Sequence, residues 1–190
     1  QVFIPSFMPD DTSTRREEGA LDGVSYDRSE SFGHALHVSW DVSDNLMVKS
    51  ISAYREMSFD DGNDYDGFDF LGFHTERHVE HEQTSQEFQF IGSEDKLNYV
   101  LGLFYFNEQS DASNPFVLGF GTVNNYYGVE STSIAAYGHS DYKITKDLTI
   151  TAGIRWTEEE KDFYIEHPDD FSFAYFFPLP KTYANDTWDN

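Results

Sequence analysis

Cysteine is absent from the 190 residues, which excludes disulfides, thiolate metal sites and cysteine nucleophiles, although a cysteine-free chain does not reveal its compartment. Positive charge is scarce. Twelve Lys and Arg stand against 35 Asp and Glu, for a formal net charge of -23. A nucleic-acid partner is therefore not expected, because affinity for phosphate comes from basic side chains that displace counterions. No apolar run approaches the roughly 18 residues that a membrane-spanning helix needs, and Gln1-Val2-Phe3-Ile4-Pro5 is neither an initiator methionine nor a signal peptide. Insertion as a helix is excluded, but insertion as a barrel is not. Catalytic patterns are missing as well: there is no G-x-S-x-G elbow, no glycine-rich phosphate loop, and no motif that fixes two carboxylates in one cleft. Glu158-Glu159-Glu160-Lys161 reads as a solvated charge run, and no enzyme is expected.

What the chain has is aromatic side chains, 17% of the total with 18 Phe and 12 Tyr, and this is not the composition of a disordered acidic tail. Helix-period segments and linkers are lacking, so one domain is expected, and the informative signal is a period of two. Leu148, Ile150, Ala152, Ile154 and Trp156 fall on one side of a strand, with Thr149, Thr151, Gly153, Arg155 and Thr157 on the other. Leu36, Val38, Trp40 and Val42 alternate with His37, Ser39 and Asp41, and Phe88 and Phe90 alternate with Glu87 and Gln89. Leu97, Tyr99, Leu101, Leu103 and Tyr105 form a further stripe. Leu46 to Phe59 and Ser131 to Tyr142 are strand-like in β-branched and aromatic content but lack a clean apolar side, which brings the expected strands to six.

The connections differ in length in a regular way. Ser43-Asp44-Asn45, Ser93-Glu94-Asp95-Lys96 and Lys143-Ile144-Thr145-Lys146-Asp147 are tight turns. Asp60 to Glu82, Glu108 to Glu130 and the stretch from Phe163 onward are each about twenty residues, long by the standard of loops in compact domains. In an up-and-down sheet this puts every tight turn at one end and every long loop at the other, the layout of an outer-membrane barrel. Leu148 to Trp156 spans about 26 Å, or about 20 Å of height at the tilt of barrel strands, close to the apolar band of such barrels. Trp40 and Tyr142 lie near the turns, and Tyr54, Tyr105 and Trp156 near the loops, where aromatic girdles belong. Six strands cannot close a barrel, since single-chain barrels begin at about eight. The expectation is an all-β, antiparallel up-and-down meander of about six strands, an open segment of a large transmembrane β-barrel. Residues 1–30 would form a long extracellular-type loop, 31–164 three hairpins with long outer loops, and 165–190 an outer loop leading to the next strand. The competing reading is a soluble acidic β-rich module, Ca²⁺-dependent or carbohydrate-binding, with the same apolar faces packed in a sandwich.

Leu46-Met47-Val48-Lys49-Ser50-Ile51-Ser52-Ala53-Tyr54-Arg55 and Thr84-Ser85-Gln86-Glu87-Phe88-Gln89-Phe90 resemble consecutive strands from the barrel of TonB-dependent outer-membrane receptors, of the ferric-siderophore type. Leu97 to Phe106 and Leu148 to Glu159 are similar to further strands in the same order, so the resemblance covers roughly Ser31 to Lys161 and is absent from the loops. It implies a plugged barrel of about 22 strands in the bacterial outer membrane. Such a barrel binds a scarce ligand, such as a small iron chelate, outside the cell and imports it with energy from TonB. Implied partners are outer-membrane lipid and lipopolysaccharide, and the TonB system through a plug. No plug, TonB box or closing aromatic strand is found, so the segment alone is not expected to transport.

Three sets of residues are candidate sites. Asp60, Asp64, Asp66 and Asp69, interspersed with Gly62 and Gly67, could offer the six to eight oxygens that Ca²⁺ takes, although no EF-hand spacing is present; a solvated acidic loop is the plainer alternative. His74, His78 and His81 would converge on a metal if helical but not on a strand, where His81 points the other way. Phe68, Phe70, Phe73, Tyr126 and Tyr127 are ligand-stacking candidates in the outer loops, beside Phe116, Phe120 and the run Phe171 to Phe177, with mutual packing as the alternative.

Overall fold

The computed structural model describes residues 22–23, 25–67, 69–119, 121–168 and 179–189. All described elements are strands of one antiparallel sheet: β1 (Tyr26–Ser43), β2 (Leu46–Asp64), β3 (Phe73–Ser93), β4 (Leu97–Ser113), β5 (Phe116–Leu118), β6 (Gly121–Val123), β7 (Tyr126–Lys143), β8 (Thr149–His167) and β9 (Leu179–Asp189). The order β1-β2-β3-β4-β7-β8-β9 is an up-and-down meander, and the short β5–β6 hairpin pairs with the start of β3. A sandwich would need a second layer, and the described strands provide none. The six expected strands are present. They run further into the long connections than hydropathy marks, β2 continuing to Asp64 and β3 beginning at Phe73. The sheet also gains β5, β6 and β9, the last lying within the stretch expected to be a loop.

Register places the stripes side by side. Trp40 pairs Val48, which pairs Phe90, which pairs Leu101. Leu103 pairs both Phe88 and Ala136, and Ala136 pairs Trp156. Directly opposed residues share a face, so one face carries a continuous apolar band from β1 to β8. This explains why β2 and β7 looked ambiguous: each supplies small or polar residues to a band that its neighbours make apolar. The polar side chains there satisfy one another, Ser52 Oγ donating to Gln86 Oε1 at 2.5 Å and Gln86 Nε2 to Ser50 Oγ at 3.0 Å. The band faces outward, with Leu36 61%, Trp40 66%, Leu103 54% and Ile154 80% exposed. Among the described residues only Ala112 and Ala135 are buried hydrophobics. The sheet lacks the two-layer core of a globular domain.

The opposite face carries Glu87, Gln89, Tyr137 and Arg155 among a few apolar residues, Ile51, Phe104 and Phe106, at the same height. Tyr137 lies over Gly102, where an added Cβ would meet the ring at 2.1 Å, and its hydroxyl donates to Glu87 Oε1 at 2.5 Å, two strands away. Arg155 sits 5.8 Å from the Tyr137 ring centre and equally far from that of Phe104. Neighbouring tight turns are tied together, the Ser93 amide donating to Asn45 O at 2.9 Å and the Lys143 amide to Lys96 O at 2.8 Å. The tight-turn end is therefore a hydrogen-bonded rim.

Candidate functional site

At the long-loop end the local sequence builds a concavity on the polar face. β4 stops at Ser113 because Pro115 has no amide to give the ladder, and after Asn114-Pro115 the chain resumes beside β3 as β5, with Phe116 opposite Thr75 and Leu118 opposite Phe73. The break is closed by Asn114 N donating to Asn125 O and Asn125 Nδ2 to Asn114 O, both at 2.8 Å. A cavity of about 300 Å³ results, lined by Asp61, Tyr65, Phe73, Thr75, Arg77, Asn114 and Phe116. The Phe73 ring centre lies 5.9 Å from those of Tyr65 and Phe116, both tilted. Arg77 Nε donates to Asp61 Oδ1 at 2.9 Å, and its guanidinium stacks 5.0 Å from the Phe59 ring centre. Asn114 Oδ1 is buried without a hydrogen-bond partner.

The other face at this height carries Asp60, Asp64, His74 and His78 of the predicted residues, in two groups. Asp64 opposes His74, and His74 Nε2 lies 2.8 Å from Asp22 Oδ1 and 3.5 Å from Asp64 Oδ2. These three form a group with metal-compatible spacing. The Asp64 side chain, 0% exposed, is already occupied: Oδ2 accepts from the Asp22 and Gly23 amides and Oδ1 from those of Asp66 and Gly67. Desolvation pushes its carboxyl up, but these four amides outweigh it and hold the group below the usual Asp value. Gly67 has φ of 66°, the left-handed conformation that favours glycine. Asp64 is thus the hub of a turn that also ties down the segment before β1. Asp60 opposes His78 and lies 2.5 Å from its Nδ1; that contact raises the imidazole pKa, against a desolvation penalty and with help from Glu80.

Asp60 and Asp64 are four residues apart on one strand, about 13 Å at strand rise, as are His74 and His78. Neither pair shares a coordination sphere. His81 points to the polar face opposite Met57 and Ser110, so the three histidines do not converge. The Asp66 carboxylate accepts the Phe73 amide, and Asp69 is exposed on the β2–β3 connection. Of the ring candidates, Phe73 enters the cavity, Phe70 is exposed at the tip, Tyr126 lies on the outward face and Tyr127 on the polar one. Phe68, Phe120 and Phe171 to Phe177 lie outside the described residues. Sequence reasoning missed Asp61, Arg77 and Asn114. The alternation of Phe73, Thr75 and Arg77 could have revealed Arg77 once β3 was extended, and the β2–β3 register then brings in Asp61, whereas Asn114 emerges only from the break at Pro115.

The family described as TonB dependent receptor-like, beta-barrel matches residues 3–189. The chain belongs to the TonB-dependent receptor family. It is a partial barrel segment, and its fold is similar to the crystal structure of the ferric yersiniabactin uptake receptor FyuA from Yersinia pestis. The match has a TM-score of 0.69 at 15% identity and covers 87% of this chain and 25% of that one. The segment thus spans about a quarter of the length of that TonB-dependent receptor. Comparison with curated proteins gives no match. TonB-dependent receptors are transporters of the bacterial outer membrane, not enzymes.

Proposed function

We propose that this segment is part of the wall of an outer-membrane receptor that binds a ferric chelate of the siderophore type outside the cell and imports it through coupling to TonB. The observation that supports this is the division of a single sheet. One face carries an outward apolar band bounded by Trp40 and Tyr142 on one side and Tyr105 and Trp156 on the other, while the opposite face is polar and opens at the loop end into an aromatic cavity. In this reading the band meets lipid, Arg155, Glu87 and Tyr137 line the lumen against a plug, and the cavity belongs to the ligand vestibule. The acidic loop end stands at the height of lipopolysaccharide headgroups, to which divalent cations would bridge it. The likeness to a ferric yersiniabactin receptor supports the ligand class.

The test is uptake of radiolabelled iron chelates by iron-starved cells that carry the complete receptor and lack other ferric-chelate receptors, with and without TonB. TonB-dependent uptake of at least one chelate is expected. A receptor correctly inserted in the outer membrane that imports none, or imports without TonB, contradicts the proposal.

A further inference from the structure

The apolar face is not level where β4, β7 and β8 meet. Its rows across these strands run Leu103–Ala136–Trp156, Leu101–Gly138–Ile154, Tyr99–Ser140–Ala152 and Leu97–Tyr142–Ile150. On β7 three small residues therefore follow one another, and Tyr142 ends the line at the tight turns. The Tyr99 ring leans the other way, over Gly92 on β3, and leaves the Ser140 side uncovered. The result is a furrow of about 460 Å³, with Gly138 and Ser140 on its floor and Tyr99, Leu101, Ala152 and Ile154 along its sides. None of these side chains is charged, and Leu101 and Ile154 are exposed.

The shape selects what fits. The sides belong to strands two spacings apart, about 10 Å between backbones. Their side chains leave room for one alkyl chain but not for a helix, which is about 10–12 Å across. From Ala136 to Ser140 the floor runs about 13 Å, a large part of the depth of one leaflet in a hydrocarbon core about 30 Å thick.

At its turn end the furrow meets positive charge. Lys143 follows Tyr142, and its amide donates to Lys96 O at 2.8 Å, so two exposed lysines stand side by side at the mouth. In the two turns beside it Lys96, Lys143 and Lys146 balance Glu94, Asp95 and Asp147, and Glu94 is engaged by Asn45 Nδ2 at 3.3 Å. The loop end lacks that balance: Glu56, Glu82, Gln109, Glu130 and Asp162 form one outward row. An anionic headgroup is repelled by that row and attracted by the lysine pair.

We infer that the furrow holds one acyl chain of an anionic phospholipid, from the leaflet at the tight-turn side, with its phosphate held by Lys96 and Lys143. The inference rests on reading the apolar band as the lipid-facing side.

The test titrates the complete receptor in detergent with dioleoylphosphatidylglycerol or dioleoylphosphatidylcholine and counts bound lipid by native mass spectrometry. Phosphatidylglycerol is expected to bind about fivefold more tightly or better. Lys96→Ala combined with Lys143→Ala should remove that preference. Gly138→Leu, which fills the floor, should weaken both lipids about fivefold, and Val48→Leu, on the same face of β2 outside the furrow, should change neither. Folding is checked by heat-modifiable migration, and the lysine variant decides the matter if Gly138→Leu does not fold. Equal binding of the two lipids by the wild-type receptor, a preference that survives loss of both lysines, or full binding by a folded Gly138→Leu receptor overturns the inference. A receptor dimer that Gly138→Leu dissociates assigns the furrow to a second copy and overturns it as well. Chelate import that continues while lipid selectivity fails removes this inference and leaves the transport reading standing, whereas a spin label at Ile154 that meets water instead of lipid removes the reading beneath it.

Discussion

Strand β8 changes character at Trp156. On the turn side, Ile150, Ala152 and Ile154 alternate with Thr151, Gly153 and Arg155; on the loop side, Glu158, Glu159, Glu160, Lys161 and Asp162 put charge on both faces. The ladder to β7 continues unbroken across the change, from Lys143 opposite Thr149 to Tyr126 opposite Glu166. The same contrast recurs in β2 and β3, which pass from Val48 and Phe90 to Asp64 and His74 in unbroken register. Backbone hydrogen bonding fixes the strand, and the side-chain pattern reports only what surrounds it. The turn-side half is built for an apolar surrounding on one face, and the loop-side half for water on both.

The largest test of that contrast places a new charge on the same face at two heights. Ile154→Arg in the complete receptor should lose about 2–4 kcal/mol of folding stability in lipid vesicles, the cost of a cation near the bilayer midplane. Glu160→Arg, six residues further along the outward face, should change it by no more than about 0.5 kcal/mol, and Arg155→Leu, on the polar face, should still insert. Urea unfolding in vesicles reads all three, and similar losses for Ile154→Arg and Glu160→Arg would erase the distinction between the halves.

A second comparison sets two glycines of the turn-side half against each other. An added methyl at Gly102 meets the Tyr137 ring at 2.1 Å, whereas at Gly153 the nearest atom is Gly138 O at 3.5 Å. Gly102→Ala is expected to cost roughly 1–3 kcal/mol through overpacking and displacement of Tyr137 from Glu87. Gly153→Ala should be close to neutral in the same unfolding assay.

Tyrosine packing over glycine extends into the loop-side half, where water makes its ionisation measurable. Tyr164 lies over Gly128 and donates to Asp111 Oδ1 at 2.7 Å. That bond, then desolvation and the nearby Asp111, Glu166 and Tyr183, push the phenol up to about 12. Since the folded value is raised, the stabilisation is complete below the ordinary value of 10.0 and is lost as pH rises through about 12. Ultraviolet titration should show a late-ionising tyrosine component that Asp111→Asn moves back toward 10.0. A titration that Asp111→Asn leaves unchanged would contradict the assignment.

The most local effect is at Asp64. Its lowered pKa means that the turn gains stability above the ordinary Asp value and loses it as pH falls through the folded one. Asp64→Ala should open the β2–β3 tip to limited proteolysis at neutral pH, while Asp69→Ala should not. Equal cleavage of the two variants would show that the four amides on Asp64 do not hold the turn.

The contrast between the halves also explains what could be read from sequence. The apolar stripes of β1, β4 and β8 and the three tight turns were legible because an apolar face must alternate with a face that is not. The loop-side ends of β2 and β3 were hidden, since Asp60 to Asp64 and Phe73 to Glu82 carry charge on both faces and have no period to detect. β9 runs Leu-Pro-Lys-Thr-Tyr-Ala-Asn-Asp-Thr-Trp-Asp with no apolar face and was hidden for the same reason. At the site, Phe73 was legible as a ring that had to pack on something. Arg77 and Asp61 meet across the β2–β3 register and could be read only once β3 was extended to Phe73, and Asn114 joins them through the resumption of pairing after Pro115, a non-local event that no spacing encodes.

The most direct measurement of the central claim is spin-label accessibility at Ile154, Arg155 and Glu160, each changed in turn to cysteine in the complete receptor in lipid vesicles. The account predicts that a label at 154 is more accessible to oxygen, which concentrates in lipid, and that labels at 155 and 160 are more accessible to a water-soluble nickel chelate. Equal access at 154 and 155, or an oxygen preference at 160, would contradict it.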